Sequence, residues 1–211
     1  MQEKEIYYKN LANTVIKNMQ KRQISGVYCK NREEALEKIF SMIPNGSSIA
    51  WGGSSSIKQV GVLEKAKNGN YVCIDRNAAK TKEELKEIYG KVCGCDYFFM
   101  SSNAITIDGE LVNIDGTGNR VAFLCYGPEH VFVVAGMNKI VTNVEEGINR
   151  TRNVAAPPNT VRLGRNTPCS VTGRCHDCQS DGCICANTVI TRRSMPSGRI
   201  TVFLVGEELG Y

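Results

Sequence analysis

The sequence predicts an α/β protein in which a mostly parallel sheet is sandwiched by helices. Helix and strand signals alternate along most of the chain, the strand candidates are short apolar runs, and one Asp-Gly pair marks a hairpin insertion in the middle.

The N-terminal segment reads as an amphipathic helix with Tyr7, Leu11, Val15 and Met19 on one side, ended by Gly26. The run GVYC follows, then NREEALEKIFSMI, where Asn31 caps, Glu34 sits at the third helical position and Ala35, Ile39 and Met42 form a stripe. PNG at 44–46 turns the chain into the strand SSIAW, and IKQVGVLEKAKNG is a helix ended by Gly69. YVCID is a strand, Thr81 and Glu84 form a capping box for TKEELKEIYGKV, and CDYFFMSS is an aromatic-rich strand. ITIDGELVNI is the hairpin, followed by the apolar runs VAFLCYG and HVFVVAG. Asn143 and Glu146 open the helix EEGINRTRNVAA, which PPN at 157–159 is expected to end. Two apolar stretches, NTVI and RITVFLVG, close the alternation.

With 211 residues, 42% hydrophobic and 22% charged, the chain can bury a full core, and a single domain over residues 1–211 is expected. The net charge of +5 is spread along the sequence without a basic run interleaved with aromatics, which argues against nucleic acid but leaves anionic small ligands open. No apolar run is long enough for a membrane span, and MQEKEIYYKN lacks a signal-peptide core, so a cytoplasmic location is expected. In that compartment clustered thiols point to metal ligation or redox chemistry more than to disulfides.

Five of the ten cysteines fall within CSVTGRCHDCQSDGCIC, inside a cysteine-rich segment at 165–187 that is expected to sit as a metal-stabilised loop on the sheet's flank. The step Cys175-x2-Cys178 lets two thiolates grip one centre, and Cys169, Cys183 and Cys185 offer further ligands. Cys183 and Cys185 are too close in sequence for both to bind the same ion. Zinc and a cubane cluster both remain open, as do plain reduced thiols. His176 reads as a neighbour of the site or an exposed residue.

In WGGSSSI the residues Gly52, Gly53, Ser54, Ser55 and Ser56 stand where a strand hands over to a helix. They read either as a phosphate or carboxylate cradle helped by the helix's positive end, or as a serine-capped turn. The motif is no P-loop. The middle segment carries Asn103, Glu110, Asp115, Asn119 and Arg120. If the strand ends converge on one crevice, Asn103 and Glu110 become catalytic candidates, Glu110 as base or nucleophile, and Asp115 and Asn119 join the ligand cradle; otherwise the segment is a polar hairpin. Lys139, in AGMNKIV, reads as a charge partner for an anion or as a solvated surface lysine.

The stretches SSIAWGGSSSIKQVG, SSNAITIDGELVNIDGTGNRVA, YGPEHVFVVAGMNKIV, INRTRNVAAPPNTVRLG, PCSVTGRCHDC and VGEELGY together resemble the lactate-utilisation, or LUD-domain, family, from about residue 10 to the end. The resemblance implies a fold like that of ribose-5-phosphate isomerase, glucosamine-6-phosphate deaminase and CoA transferases, whose glycine-rich turn maps onto Gly52, Gly53, Ser54 and Ser56. It implies a component of L-lactate oxidation to pyruvate, working with other subunits of an iron–sulfur system. It also implies metal ligands at Cys169, Cys175, Cys178 and Cys185, for a [4Fe–4S] cluster or zinc. Cys183 stands where the family is expected to carry an arginine, which makes it the extra thiol. Rival readings are a sugar-phosphate or acyl-CoA enzyme using Glu110 and Lys139, and a zinc-stabilised binding or regulatory module. A homo-oligomer is compatible with each.

Overall fold

The computed structural model describes residues 2–211; Met1, the first residue of the predicted domain, lies outside them. Helix α1 spans Gln2–Lys21, strand β1 Ser25–Cys29, α2 Arg32–Ser41, β2 Ser48–Trp51, α3 Ser55–Gln59, α4 Val62–Asn68, β3 Val72–Ile74, α5 Lys82–Cys93 and β4 Tyr97–Met100. Then come β5 Ala104–Thr106, β6 Leu111–Asp115, α6 Asn119–Cys125, β7 His130–Gly136, β8 Ile140–Val141, α7 Val144–Arg150, α8 Ala156–Arg162, α9 Pro168–Thr172, β9 Asn187–Thr191 and β10 Ile200–Val205.

The main sheet runs β1-β10-β7-β4-β2-β3, and each neighbouring pair is parallel. Its central strands are buried on both faces, so alternate residues feed two cores. Val131, Val133, Val202, Leu204, Phe98 and Met100 pack with Ala12, Val15 and Met19 of α1. Phe132, Val134, Phe203, Val205 and Phe99 pack with Ala35 and Ile39 of α2, Ile57 of α3 and Val62 of α4. This two-sided burial accounts for the near-continuous apolar runs.

The hairpin does not extend that sheet. β5 and β6 pair antiparallel, β9 adds antiparallel to β6, and β8 adds parallel to β5, giving a second four-stranded sheet. NTVI, expected within the main alternation, is therefore part of β9 in the second sheet. Helix α7 packs closely on β6, where a Cβ on Gly147 would sit 2.9 Å from Val112.

The predicted caps are present. Asn31 accepts from the Glu34 amide, Thr81 and Glu84 cap reciprocally, and Asn143 accepts from the Glu146 amide. Five expectations need correction. Steps of four residues drift by about 40° each on a 3.6-residue turn, so Tyr7 rotates off the α1 stripe and is exposed while Ala12, Val15 and Met19 are buried. Met42 falls at the C-cap of α2 and is exposed. IKQVGVLEKAKNG splits at Gly61, whose φ of 84° breaks the helical path, and VAFLCYG lies mostly in α6 instead of continuing the strands. PPN does not end a helix: Thr151–Ala155 form a π-helical turn, with the Ala156 amide bonding back to the Thr151 carbonyl, and Pro157 and Pro158 then fall in the first turn of α8. At such a position a missing N–H costs little.

Candidate functional site

Strands β7, β4 and β2 are parallel neighbours, so their C-terminal ends deliver Met137–Lys139, Ser101–Asn103 and Gly52–Ser56 to one edge of the sheet. A cavity of about 500 Å³ opens there, lined by Gly53, Ser54, Ser56, Ser101, Asn103, Asp115, Asn119, Arg120 and Lys139 among others.

At its base the Lys139 Nζ donates to the Ser56 Oγ and to the Ser101 Oγ, 2.9 Å in each case. Lys139 is 4% exposed, so this is no solvated surface charge. Burial, with the nearby Arg150 and Arg120 guanidinium groups, lowers its pKa to about 7. Gly136 makes the bend that places it: a Cβ there would stand 2.5 Å from the Glu207 carbonyl oxygen and the Leu209 amide. The Leu209–Gly210 segment covers Ser56, whose Oγ donates to the Leu209 carbonyl at 3.3 Å.

Arg120 forms the frame of the cavity. Its Nε donates to Asp115 Oδ2 at 3.0 Å, Nη1 to the Ser101 carbonyl at 2.8 Å and Asn113 Oδ1 at 2.7 Å, and Nη2 to Asn103 Oδ1 at 2.9 Å and the Ile114 carbonyl at 3.0 Å. A guanidinium has five N–H groups, and these contacts use them all. Asn103 and Asp115 therefore serve the frame: Asn103 Oδ1 also accepts from the Ile114 amide, and Asp115 Oδ1 from the Gly118 amide. Asn119 lines the cavity with its amide turned to the Tyr89 hydroxyl and Thr117.

The glycine-serine turn differs from the expected cradle. Gly52 is not in the cavity wall; its amide donates to the Phe99 carbonyl and its Cα side faces the Arg120 stem. A Cβ on Gly53 would lie only 3.0 Å from Arg76 Nη2, a tight approach that only a shift of that flexible side chain could relieve. Ser54 caps α3, which has only five residues. So short a helix has little dipole to offer an anion, and the positive charge at this edge comes from side chains.

Glu110 is placed elsewhere. The hairpin tip leans on the end of α1, where Arg22 Nε donates to the Asp108 carbonyl and Asn18 Nδ2 to the Ile107 carbonyl. Glu110 Oε1 pairs there with Arg22 Nη2 at 3.1 Å while Oε2 accepts from the Thr106 hydroxyl. It does not line the cavity, so the expectation that it meets the glycine turn as base or nucleophile is corrected. Ser101 was not singled out from the sequence, although its position directly after an aromatic-rich strand signals a strand end at the ligand-binding edge.

A second cavity of about 220 Å³ is lined by all five clustered thiols, Cys169, Cys175, Cys178, Cys183 and Cys185. The sulfurs carry hydrogen-bond partners: Thr167 and Thr160 at Cys169, the Arg152 Nε and Asp177 amide at Cys175, Ser180 at Cys178, and the Cys185 amide at Cys183. Arg152 also pairs with Asp177. Burial and the neighbouring Cys183, Cys175 and Cys169 push the Cys185 thiol up to about 12, whereas hydrogen bonds from Ser180 lower Cys178. Crowded thiols that oppose one another's ionisation are a donor set suited to a positive inorganic centre. Among the described residues no three His, Cys, Asp or Glu side chains are grouped closely enough to hold a single metal ion as they stand. His176 is exposed, with its Nε2 at Thr172. The two cavities share Ile114, Ala156, Cys183, Ile184 and Cys185 as a common wall.

The sequence profile of the LUD domain matches residues 12–205. A DUF162 family protein from Deinococcus radiodurans superposes with a TM-score of 0.53 over 94% of this chain and 98% of its own, at 11% identity, a likeness of fold. The eIF2B delta chain from Chaetomium thermophilum aligns over 54% of this chain and 49% of its own at 17% identity, with a TM-score of 0.35. No curated protein matches the sequence. The profile match over nearly the whole length, on an α/β body with a parallel central sheet, is decisive: the chain belongs to the LUD domain family, which is associated with lactate utilisation.

Proposed function

We propose that the chain is a component of L-lactate oxidation to pyruvate that binds the small carboxylate in the Lys139 cavity, beside a [4Fe–4S] cluster held by Cys169, Cys175, Cys178 and Cys185. The observation that carries this reading is the shared wall, which puts a polar, cation-bearing cavity directly against a cavity lined with thiols. Family membership supports the lactate context. A cluster is favoured over zinc because the five thiols lie around one cavity without three of the described ligand side chains converging on a point, whereas a zinc ion needs its ligands to meet at one point. When bound, such a cluster would supply one-electron transfer.

The chain's own residues do the rest. Lys139, with a pKa near neutrality, pairs with a carboxylate when protonated and can hold or release one proton at Nζ, while Ser56 and Ser101 fix its position. Arg120 keeps the three loops in register and has no donor left for the ligand. Further electron carriers belong to partner subunits in this reading.

Iron and acid-labile sulfide analysis of protein purified without oxygen tests the cluster. About four of each per chain, with a visible absorption that bleaches on reduction, is expected. Colourless protein that contains zinc would reject the electron-transfer role and favour a zinc-stabilised module.

A further inference from the structure

In the lactate reading Ser101 and Ser56 serve only to position Lys139, but the same three side chains form an arrangement with a chemistry of its own. A hydroxyl within hydrogen-bond reach of an amine, with that amine oriented by a third group, is the geometry of an activated nucleophile. Both Oγ–Nζ distances are 2.9 Å, all three residues line the cavity, and they come from three adjacent strand ends.

The two hydroxyls are not equivalent. Ser56 is 1% exposed and lies under the Leu209–Gly210 segment, where a Cβ on Gly210 would stand 2.6 Å from its Oγ. Ser101 is the more open, at 6%, and is anchored by the Arg120 bond to its own carbonyl. We propose that Ser101 is a nucleophile toward an ester or thioester, with Lys139 as its base and Ser56 as the group that orients Lys139.

The step balances with water as co-reactant. The Ser101 Oγ bonds to the substrate's carbonyl carbon as its proton passes to Lys139 Nζ. The carbonyl's bond to the leaving oxygen or sulfur breaks, and the leaving group takes that proton. Water then attacks the acyl-serine, giving a carboxylic acid and restoring the hydroxyl. The charged groups facing Lys139 are Arg150 from α7 and Arg120 from α6, both cations, which favour the neutral amine a base requires. Arg76 and Arg162 also line the cavity, so the substrate class is an ester or thioester carrying negative charge.

The test treats the full chain with a fluorophosphonate probe and a 4-nitrophenyl ester of a dicarboxylic acid, then maps the adduct by peptide mass. Expected is a single adduct on Ser101, forming faster as pH rises through about 7, and a fall of about 10²–10⁴-fold in rate for Lys139→Met. Ser56→Ala should slow the reaction without moving the adduct. The wild-type peptide map locates the site even if a variant fails to fold. No adduct, an adduct on another residue, or a rate independent of pH across that range would overturn the proposal. The labelling needs no iron, so it stands or falls separately from the cluster.

Discussion

Arg120 Nε and Asp115 Oδ2 lie 3.0 Å apart in a largely buried ion pair, with side-chain exposures of 14% and 10%. The pair joins the first turn of α6 to the end of β6, and the other four guanidinium donors tie in Ser101, Asn103, Asn113 and Ile114.

Removing one partner leaves a buried charge uncompensated, which costs about 3–5 kcal/mol. Asp115→Ala is therefore expected to lower the urea midpoint by that amount of stability and to weaken carboxylate binding. A loss under about 1 kcal/mol, typical of an exposed pair, would show that the frame is not needed.

Lys139 sets a pH dependence. Its folded-state pKa is depressed from 10.5 to about 7, so between those values the unfolded chain binds more protons and stability rises with pH. The penalty is fully present below about pH 7 and is relieved as pH approaches 10.5. Wild type should gain on Lys139→Met across this window by on the order of a few kcal/mol. A constant difference between the two proteins would place the pKa near its ordinary value.

Gly136 holds Lys139 in place. A methyl group there meets backbone atoms of Glu207 and Leu209, which cannot rotate away. Gly136→Ala should cost about 1–3 kcal/mol and weaken carboxylate binding at the same time. Unchanged binding would mean that the 207–210 segment shifts without disturbing Lys139 and Ser56.

Much of this architecture could be read from the residues. Caps at Asn31, Thr81 and Asn143 are local hydrogen bonds written in three-residue spacings, and the apolar runs of β4, β7 and β10 encode burial on both faces. The second sheet was hidden because strand pairing is non-local: nothing in NTVI says that it joins β6 and not β10. Glu110 was misplaced for a related reason, as the hairpin tip follows contacts with Asn18 and Arg22, some 90 residues away in sequence. Lys139 could be read either as a charge partner for an anion or as a surface lysine, because the burial that decides between them depends on Gly136 and on the 207–210 segment crossing it. The thiols and the strand-end cavity were each visible in the sequence, whereas their common wall is a property of the fold alone.

The resemblance marks Cys183 as the thiol beyond the four, yet it lines both cavities. Cys183→Ser is expected to keep iron and sulfide at wild-type levels, while Cys175→Ser and Cys178→Ser should lose them. Loss on Cys183→Ser would move the ligand set onto Cys183.

The shared wall is tested most directly by electron paramagnetic resonance of the anaerobically purified, dithionite-reduced protein, recorded with and without saturating oxalate as a non-reacting small carboxylate. A cluster signal whose g-values shift when oxalate is added, and which no longer shifts in Lys139→Met, is predicted. A cluster signal unchanged by oxalate, with binding confirmed by calorimetry on the same sample, would contradict the placement of the carboxylate against the thiol cavity.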